Sequence, residues 1–126
     1  MKAKYFLVII SIVFVSVSLI GCDSSYNKSV EEYESLFNET FRLIDTENIY
    51  ESISENNLSS NLKRLDEIMG DIEDKVPNSK NSDFMVLRQK HSFLKEVLDK
   101  GLKWDTIGGL DKLLVKELIQ AFKPNE

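Results

Sequence analysis

The sequence predicts an all-α fold, a small antiparallel bundle of three to four helices, for the chain beyond residue 28. Apolar residues recur there at three- and four-residue steps in several segments, as on the buried face of a helix. No segment shows the strict apolar and polar alternation of a strand, and no internal repeat occurs. The 98 residues from 29 to 126 can bury one modest hydrophobic core, which predicts a single domain.

The first predicted helix begins at Ser29 and runs to about residue 45. Ser29 and Glu32 have the spacing of a capping box, in which a hydroxyl and a carboxylate each accept a backbone N–H. The apolar stripe that follows is Val30, Tyr33, Phe37, Phe41 and Ile44. Residues 46–57 stay open between helix and loop, because their isoleucines fit a helical face whereas their serines and asparagines favour a turn.

The second predicted helix has the clearest period in the chain. Its apolar residues are Leu58, Leu62, Leu65, Met69, Ile72 and Val76. Steps of four and three residues form a heptad seam, which suits an antiparallel bundle within one domain. Gly70, beside the seam, costs about 1 kcal/mol relative to alanine unless a neighbouring helix needs close approach. Pro77 ends the helix because it disfavours helical geometry at the preceding residue.

The third predicted helix follows a polar loop at residues 78–83, with Ser82 or Asp83 as its cap. The residues of its buried face are Phe84, Leu87, His91, Leu94 and Leu98. Gly101 closes or loosens its last turn.

A fourth, shorter helix is predicted from about Leu110 to Phe122, after a break that includes Trp104 and two adjacent glycines. Its predicted inner line is Leu114, Leu118 and Phe122, broadened by Leu113, Val115 and Ile119. The helix is apolar enough to need cover from the rest of the bundle.

The N-terminus has the layout of an export signal. Lys2 and Lys4 precede an apolar segment from Phe6 to Ile20, which is about 22 Å long as a helix and shorter than the ~30 Å hydrocarbon core of a bilayer. The segment ends in Leu19-Ile20-Gly21-Cys22, which closely resembles the lipobox of bacterial lipoproteins.

That resemblance implies cleavage between Gly21 and Cys22 and attachment of a diacylglycerol to the Cys22 sulfur. It divides the chain into a signal peptide (1–21), a lipidated tether (22–28) and a helical domain (29–126). Two acyl chains hold a protein stably to a bilayer, whereas one does so only marginally. The expected location is the exported face of a cell membrane, periplasmic or extracellular.

Charge and cysteine content argue against nucleic-acid binding and exclude an intramolecular disulfide. Without Lys2 and Lys4, 14 basic residues stand against 21 acidic ones, a net charge of −7. Such a domain is repelled by anionic lipid headgroups and by nucleic acid, so no nucleic-acid partner is expected. Cys22 is the only cysteine, so an intramolecular disulfide is impossible.

His91 is the only histidine of the chain and lies on the apolar face of the third helix. It is either a general base or pH sensor, or a histidine at the edge of the core with one hydrogen-bond partner. The second interpretation is favoured. A zinc site built on histidine and cysteine would need further ligands.

An acidic cluster lies on the second helix at Asp66, Glu67, Asp71, Glu73 and Asp74. Its spacing matches no calcium loop, because such loops present ligands around a tight turn and not along a regular helix. A solvated face, partly neutralised by Lys63 and Lys75, is the favoured interpretation. No cofactor and no metal site is predicted.

Trp104, beside the glycine pair, is the candidate residue for contact with a ligand or a partner. An aromatic ring at a helix end can form the wall of a pocket, but it more often covers the open end of a bundle. No serine lies in a motif that would activate its hydroxyl: Ser60 and Lys63 spell Ser-x-x-Lys, but at a helix start and without companion motifs.

These observations favour a non-catalytic, membrane-anchored lipoprotein that binds another envelope or surface protein. The alternative is a module that binds a small ligand or peptide near Trp104. An envelope hydrolase is the least favoured class, because no nucleophile, base and orienting group occur in a recognisable arrangement.

Overall fold

The computed structural model describes residues 24–124, which form five α-helices, two short 3₁₀ helices and no β-strand. The α-helices are α1 (Ser24–Arg42), α2 (Ile49–Glu55), α3 (Leu58–Lys75), α4 (Asn81–Leu102) and α5 (Gly109–Phe122). The predicted all-α fold is therefore confirmed. The structure has one helix more than the three to four expected. This additional helix is the short α2, which forms within residues 46–57, where the sequence leaves helix and loop undecided.

Helix α1 begins earlier than the capping box predicts. Ser29 lies inside the helix, so its predicted role as a cap is wrong, and Glu32 instead forms an ion pair with Arg64 on α3. Tyr26 is buried, and the burial of its ring stabilises the additional turn. Residues 24–28 are thus helical, although the sequence assigns them to the tether. The division into signal peptide, tether and domain stays a prediction.

The connection from α1 to α2 is organised by Asp45. Its Oδ1 accepts the backbone N–H of Glu47 at 2.9 Å, and its Oδ2 accepts Nδ2 of Asn48 at 3.2 Å. Both hydrogen bonds lower the pKa of the Asp45 carboxyl, and the bond from Glu47 has the larger effect. The backbone N–H of Asp45 donates to Oγ of Ser52 at 3.0 Å, and burial of Ile53 fixes α2 against the bundle.

Helix α3 confirms the predicted seam. The buried seam residues are Leu58, Leu65, Met69 and Ile72. Leu62 and Val76 are half-buried, and Ile68 is buried in addition. Val76 has extended backbone geometry, with φ −62° and ψ 123°, directly before Pro77. The helix therefore ends where the proline predicts.

Helix α4 begins at Asn81, so the predicted cap at Ser82 or Asp83 is wrong. A 3₁₀ helix, Asn78–Lys80, leads directly into α4 and replaces most of the predicted loop. All five residues of the predicted inner face are buried: Phe84, Leu87, His91, Leu94 and Leu98.

Gly101 marks a close contact between α4 and α2. A Cβ at this position would lie 3.1 Å from Cγ2 of Ile49 and closer still to Cδ1 of Ile53. An alanine here would force the Ile53 side chain to move, so glycine suits the close packing of α2 against α4. At Gly70, by contrast, no atom lies within 4 Å of such a Cβ, so close helix approach does not explain that residue.

The contacts fix the directions of the helices. Asn61, at the start of α3, donates to Oγ1 of Thr40 near the end of α1 at 3.1 Å, so these helices are antiparallel. Gly101, at the end of α4, lies against α2, which follows α1. One end of the bundle, called the α2 end below, holds α2 and the C-termini of α1 and α4. The opposite end, called the Ser24 end, holds the N-termini of α1 and α4.

Helix α5 lies across the half of the bundle nearest the α2 end. At its start, Asp111 forms an ion pair with Lys100, near the end of α4, at 3.0 Å. At its end, Phe122 packs against Phe37 and Phe41 of α1, with ring centroids 5.7 and 5.5 Å apart. Its core-facing residues are Val115 and Ile119, with Leu118 and Phe122 packed beside them.

Candidate functional site

The predicted lipid anchor lies outside the described residues. This applies to both Gly21 and Cys22, whose cleavage and acylation stay predictions. Within residues 24–124, no helix is long and apolar enough to cross a membrane.

Trp104 lies in the 3₁₀ helix between α4 and α5 and is half-buried against the core. The Nζ atoms of Lys112 and Lys116, one turn apart on α5, lie 5.5 and 5.9 Å from the centroid of its ring. Cations at such distances are attracted to the negative face of an indole. The ring therefore ties α5 to the end of α4. Contact of Trp104 with a partner or ligand stays a prediction.

His91 joins three helices through two hydrogen bonds. Its Nδ1 lies 2.8 Å from the hydroxyl of Tyr33 on α1, and its Nε2 lies 2.6 Å from Oδ1 of Asp66 on α3. The sequence predicts one hydrogen-bond partner for this ring, which is wrong, because the ring has two. A single tautomer satisfies all three groups: the Tyr33 O–H donates to Nδ1, and Nε2–H donates to the carboxylate.

The Tyr33 hydroxyl keeps its proton within this network. The residue is fully buried, and burial is the main cause that raises its pKa far above the ordinary value of 10.0. The carboxylates of Asp66 and Glu34 raise the pKa further. The hydroxyl therefore stays a hydrogen-bond donor to His91, and the network holds α1, α3 and α4 in register.

Asp66 differs from its neighbours in the acidic cluster because it faces the bundle. In addition to its bond with His91, its Oδ1 lies 3.4 Å from Nζ of Lys95. The adjacent Glu67 points outward and pairs with Arg64 at 3.1 Å. Across residues 24–124, no group of three or more histidine, cysteine, aspartate or glutamate residues could hold a metal ion. All five residues of the cluster are exposed, as predicted for a solvated face, and Asp66 in addition contacts α4.

A groove of about 360 Å³ lies between α3 and α4 beside this network. Its walls are formed by Asp66, Met69, Gly70 and Glu73 from α3 and by Arg88, His91, Ser92 and Lys95 from α4. The α3 wall therefore carries carboxylates and the α4 wall carries cations. Gly70 leaves part of the groove open, because it has no side chain and faces free space.

The outward face of α5 is apolar over its first two turns. Leu110 is 85 % exposed, Leu113 is 56 % exposed and Leu114 is 42 % exposed. Leu114 was predicted on the inner line, which is wrong, because the inward line runs through Val115 and Ile119 instead. Spacings of three and four residues place the three leucines on one side of the helix. They are called the leucine face below.

Sequence reasoning missed these features for physical reasons. Helix α5 has apolar residues over more than half of its circumference, so its pattern does not indicate which part of that surface is buried. Tyr33 belongs to an apolar stripe and Asp66 to an acidic run, and only the assembled fold brings both to His91. One signal was present, because a tyrosine on a buried stripe carries a hydroxyl that needs a hydrogen-bond partner.

Comparison with protein-family models, with curated proteins and with solved structures finds no match for this chain. No function therefore transfers to it from a relative. The features that invite a functional explanation are the leucine face of α5 and the groove between α3 and α4.

Proposed function

We propose that this protein is an exported, lipid-anchored, non-catalytic protein that binds another envelope protein through the leucine face of α5. The lipobox-like Leu19-Ile20-Gly21-Cys22 supports the anchor. The observation that carries the binding function is the exposure of Leu110, Leu113 and Leu114 on a helix that also has a complete inward face. Clustered exposed apolar residues of this kind mark interaction surfaces.

The energetics of burial support this role. Transfer of an exposed leucine side chain to an apolar contact contributes about 1.5–3 kcal/mol when burial is complete. Leucines that stay in water give up this contribution, and they also raise the tendency to aggregate. A stable protein interface buries about 800 Å² per partner, so the leucine face would form the apolar centre of a larger contact with a polar rim.

The Tyr33, Asp66 and His91 network supports a structural role and not a catalytic one. Both imidazole nitrogens already bind side chains of other helices. The Tyr33 hydroxyl is fully buried and neutral, so it is poorly suited to attack a substrate. Each group of the network therefore serves the packing of α1, α3 and α4.

A second candidate function is the binding of a small zwitterion in the groove between α3 and α4. Glu73 and Arg88 line its opposite walls, and no ion pair joins them in the described part of the chain. A ligand with an ammonium and a carboxylate, such as an amino acid, could meet both side chains.

Thermal unfolding with amino acids and dipeptides tests this second candidate. A rise in Tm that disappears in Gly70→Leu would support it, because the new side chain fills the open part of the groove. Gly70→Leu is expected to fold, since leucine is the better helix former. Equal shifts in the wild type and this variant would contradict it.

Two measurements in intact cells test the main proposal. Cys22→Ala is expected to remove acyl incorporation and to release the protein from the membrane fraction, whereas the matched variant Ser25→Ala leaves both unchanged. Chemical crosslinking followed by mass spectrometry is expected to recover a protein partner with the wild type. Unchanged labelling of Cys22→Ala would disprove the anchor. A small molecule that co-purifies in place of any protein would favour the second candidate.

A further inference from the structure

The position of the leucine face relative to the anchor indicates what it binds, and this inference rests on the proposed function. Cys22 precedes the first residue of α1, Ser24, by only two positions. Two residues of extended chain span about 7 Å, so the Ser24 end of the bundle must stay close to an acylated Cys22. The α2 end lies at the other end of α1, which is 19 residues and therefore about 28 Å long.

Both ends of α5 are attached to the half of the bundle far from the anchor. Its first turn pairs with Lys100 at the end of α4, and its last turn packs on Phe37 and Phe41 of α1. Phe37 lies 13 residues after Ser24, which corresponds to about 20 Å along the helix axis. A bundle whose α1 axis stands along the membrane normal therefore holds the leucine face well above the lipid headgroups.

The charges also disfavour contact of this face with lipid. Amphipathic helices that lie on membranes combine apolar residues with lysine and arginine beside them. On α5, the charged residue one turn after Leu113 and Leu114 on the same exposed side is Glu117. Lys112 and Lys116 lie over the ring of Trp104 instead.

From this geometry we infer that the leucine face is a membrane-distal docking surface for the extramembrane part of a different envelope protein. The complementary surface of that partner is apolar at its centre, where it covers the three leucines. It carries a lysine or arginine at its edge, opposite Glu117. The anchor then sets the height at which the partner is met, and the bilayer itself is not the ligand.

Met85 provides a matched control for Leu113. Both residues are 56 % exposed and apolar, but Met85 lies in the second turn of α4, toward the Ser24 end. A photoreactive p-benzoylphenylalanine would be placed at either position in the full-length protein in intact cells. Position 113 is expected to crosslink to a different protein, and position 85 is expected to give at least tenfold less of that product.

The same two positions can report contact with lipid. The acylated protein would carry an environment-sensitive fluorophore at residue 113 or 85 and would be bound to vesicles of phosphatidylethanolamine and phosphatidylglycerol. Emission from position 113 is expected to stay that of a probe in water. A blue shift at position 113 would identify lipid as the occupant and overturn the inference, while leaving the anchor and the binding of a partner elsewhere intact.

Further results would decide whether the occupant is a second copy of this chain, whether the leucine face is the binding surface, and whether the partner has a basic edge. Crosslinks from position 113 only to a second copy of this chain would overturn the inference in favour of self-association. A partner captured from position 85 alone would keep an anchored protein that binds a partner, but it would reject the leucine face as the binding surface in the proposed function as well as in this inference. Glu117→Lys is expected to lower the yield of the heterologous crosslink at least threefold, whereas Glu31→Lys, an exposed change on α1, is not. Equal yields from both variants would reject the basic edge of the partner.

Discussion

Helices α3 and α5 are both rich in apolar residues, but they use them differently. On α3 the apolar residues form one seam that the bundle buries or half-buries, and the other sides are polar and charged. On α5 the inward line of Val115 and Ile119 completes the core, and three leucines remain on the outside. The fold alone explains the composition of α3, whereas α5 carries more apolar surface than the bundle uses. This excess is where a function outside the folded domain is expected.

The largest expected effect on the free energy of unfolding comes from a substitution in the seam of α3. Leu65→Ala removes a fully buried side chain and leaves a cavity, so the free energy of unfolding should fall by about 2–5 kcal/mol. Urea titration followed by circular dichroism measures the change. Leu113→Ala on α5 is the control and should change stability by less than about 0.5 kcal/mol. Similar losses in both variants would remove the distinction between the two helices.

Gly70 of α3 and Gly101 of α4 test the same distinction between filled and open surface. Gly101→Ala should destabilise the protein by about 1–3 kcal/mol, because the new methyl group overlaps Ile53 and presses on Ile49. Gly70→Ala should stabilise it by up to about 1 kcal/mol, because the site is open and alanine is the better helix former. Thermal unfolding of both variants measures the two signs, and a shared sign would contradict this account of the packing.

The next effect on stability is expected from the hydrogen-bond network of Tyr33, Asp66 and His91. Tyr33→Phe leaves Nδ1 of His91 buried without its partner, and we expect a loss of about 1–3 kcal/mol in the free energy of unfolding. The unfolded tyrosine ionises near its ordinary pKa of 10.0, whereas burial raises the pKa in the folded protein. The contribution of Tyr33 is therefore complete below pH 10 and declines as the pH rises further.

Urea titrations of the wild type and Tyr33→Phe at about pH 8 and about pH 11 test this dependence. The difference between the two proteins should shrink at the higher pH. A difference that grows with pH would mean that the hydroxyl is ionised in the folded state.

Much of the fold could be predicted from the sequence, because its strongest signals are local. The seam of α3 and its end before Pro77 follow from spacing and from the geometry of proline, and both are confirmed. The start of α1 could not be predicted, since it depends on burial of Tyr26 in the core of the assembled bundle. The outward direction of Leu114 and the pairing of His91 with two other helices also arise only when the helices assemble.

The smallest effect on stability is expected from the leucine face. A variant that combines Leu110→Gln, Leu113→Gln and Leu114→Gln should unfold within about 1 kcal/mol of the wild type, because the leucines are largely in water and glutamine has similar helix propensity. Urea titration measures the free energy of unfolding, and the solubility of the variant should rise. A large loss of stability would show that the leucines belong to the core.

Binding through the leucine face is tested most directly by recovery of the crosslinked partner from intact cells that express this triple variant or the wild type at equal levels. If α5 carries its additional leucines for binding, the partner is recovered with the wild type and lost with the triple variant, while membrane attachment and stability are retained. Recovery of the same partner in the same amount with both proteins would contradict the claim.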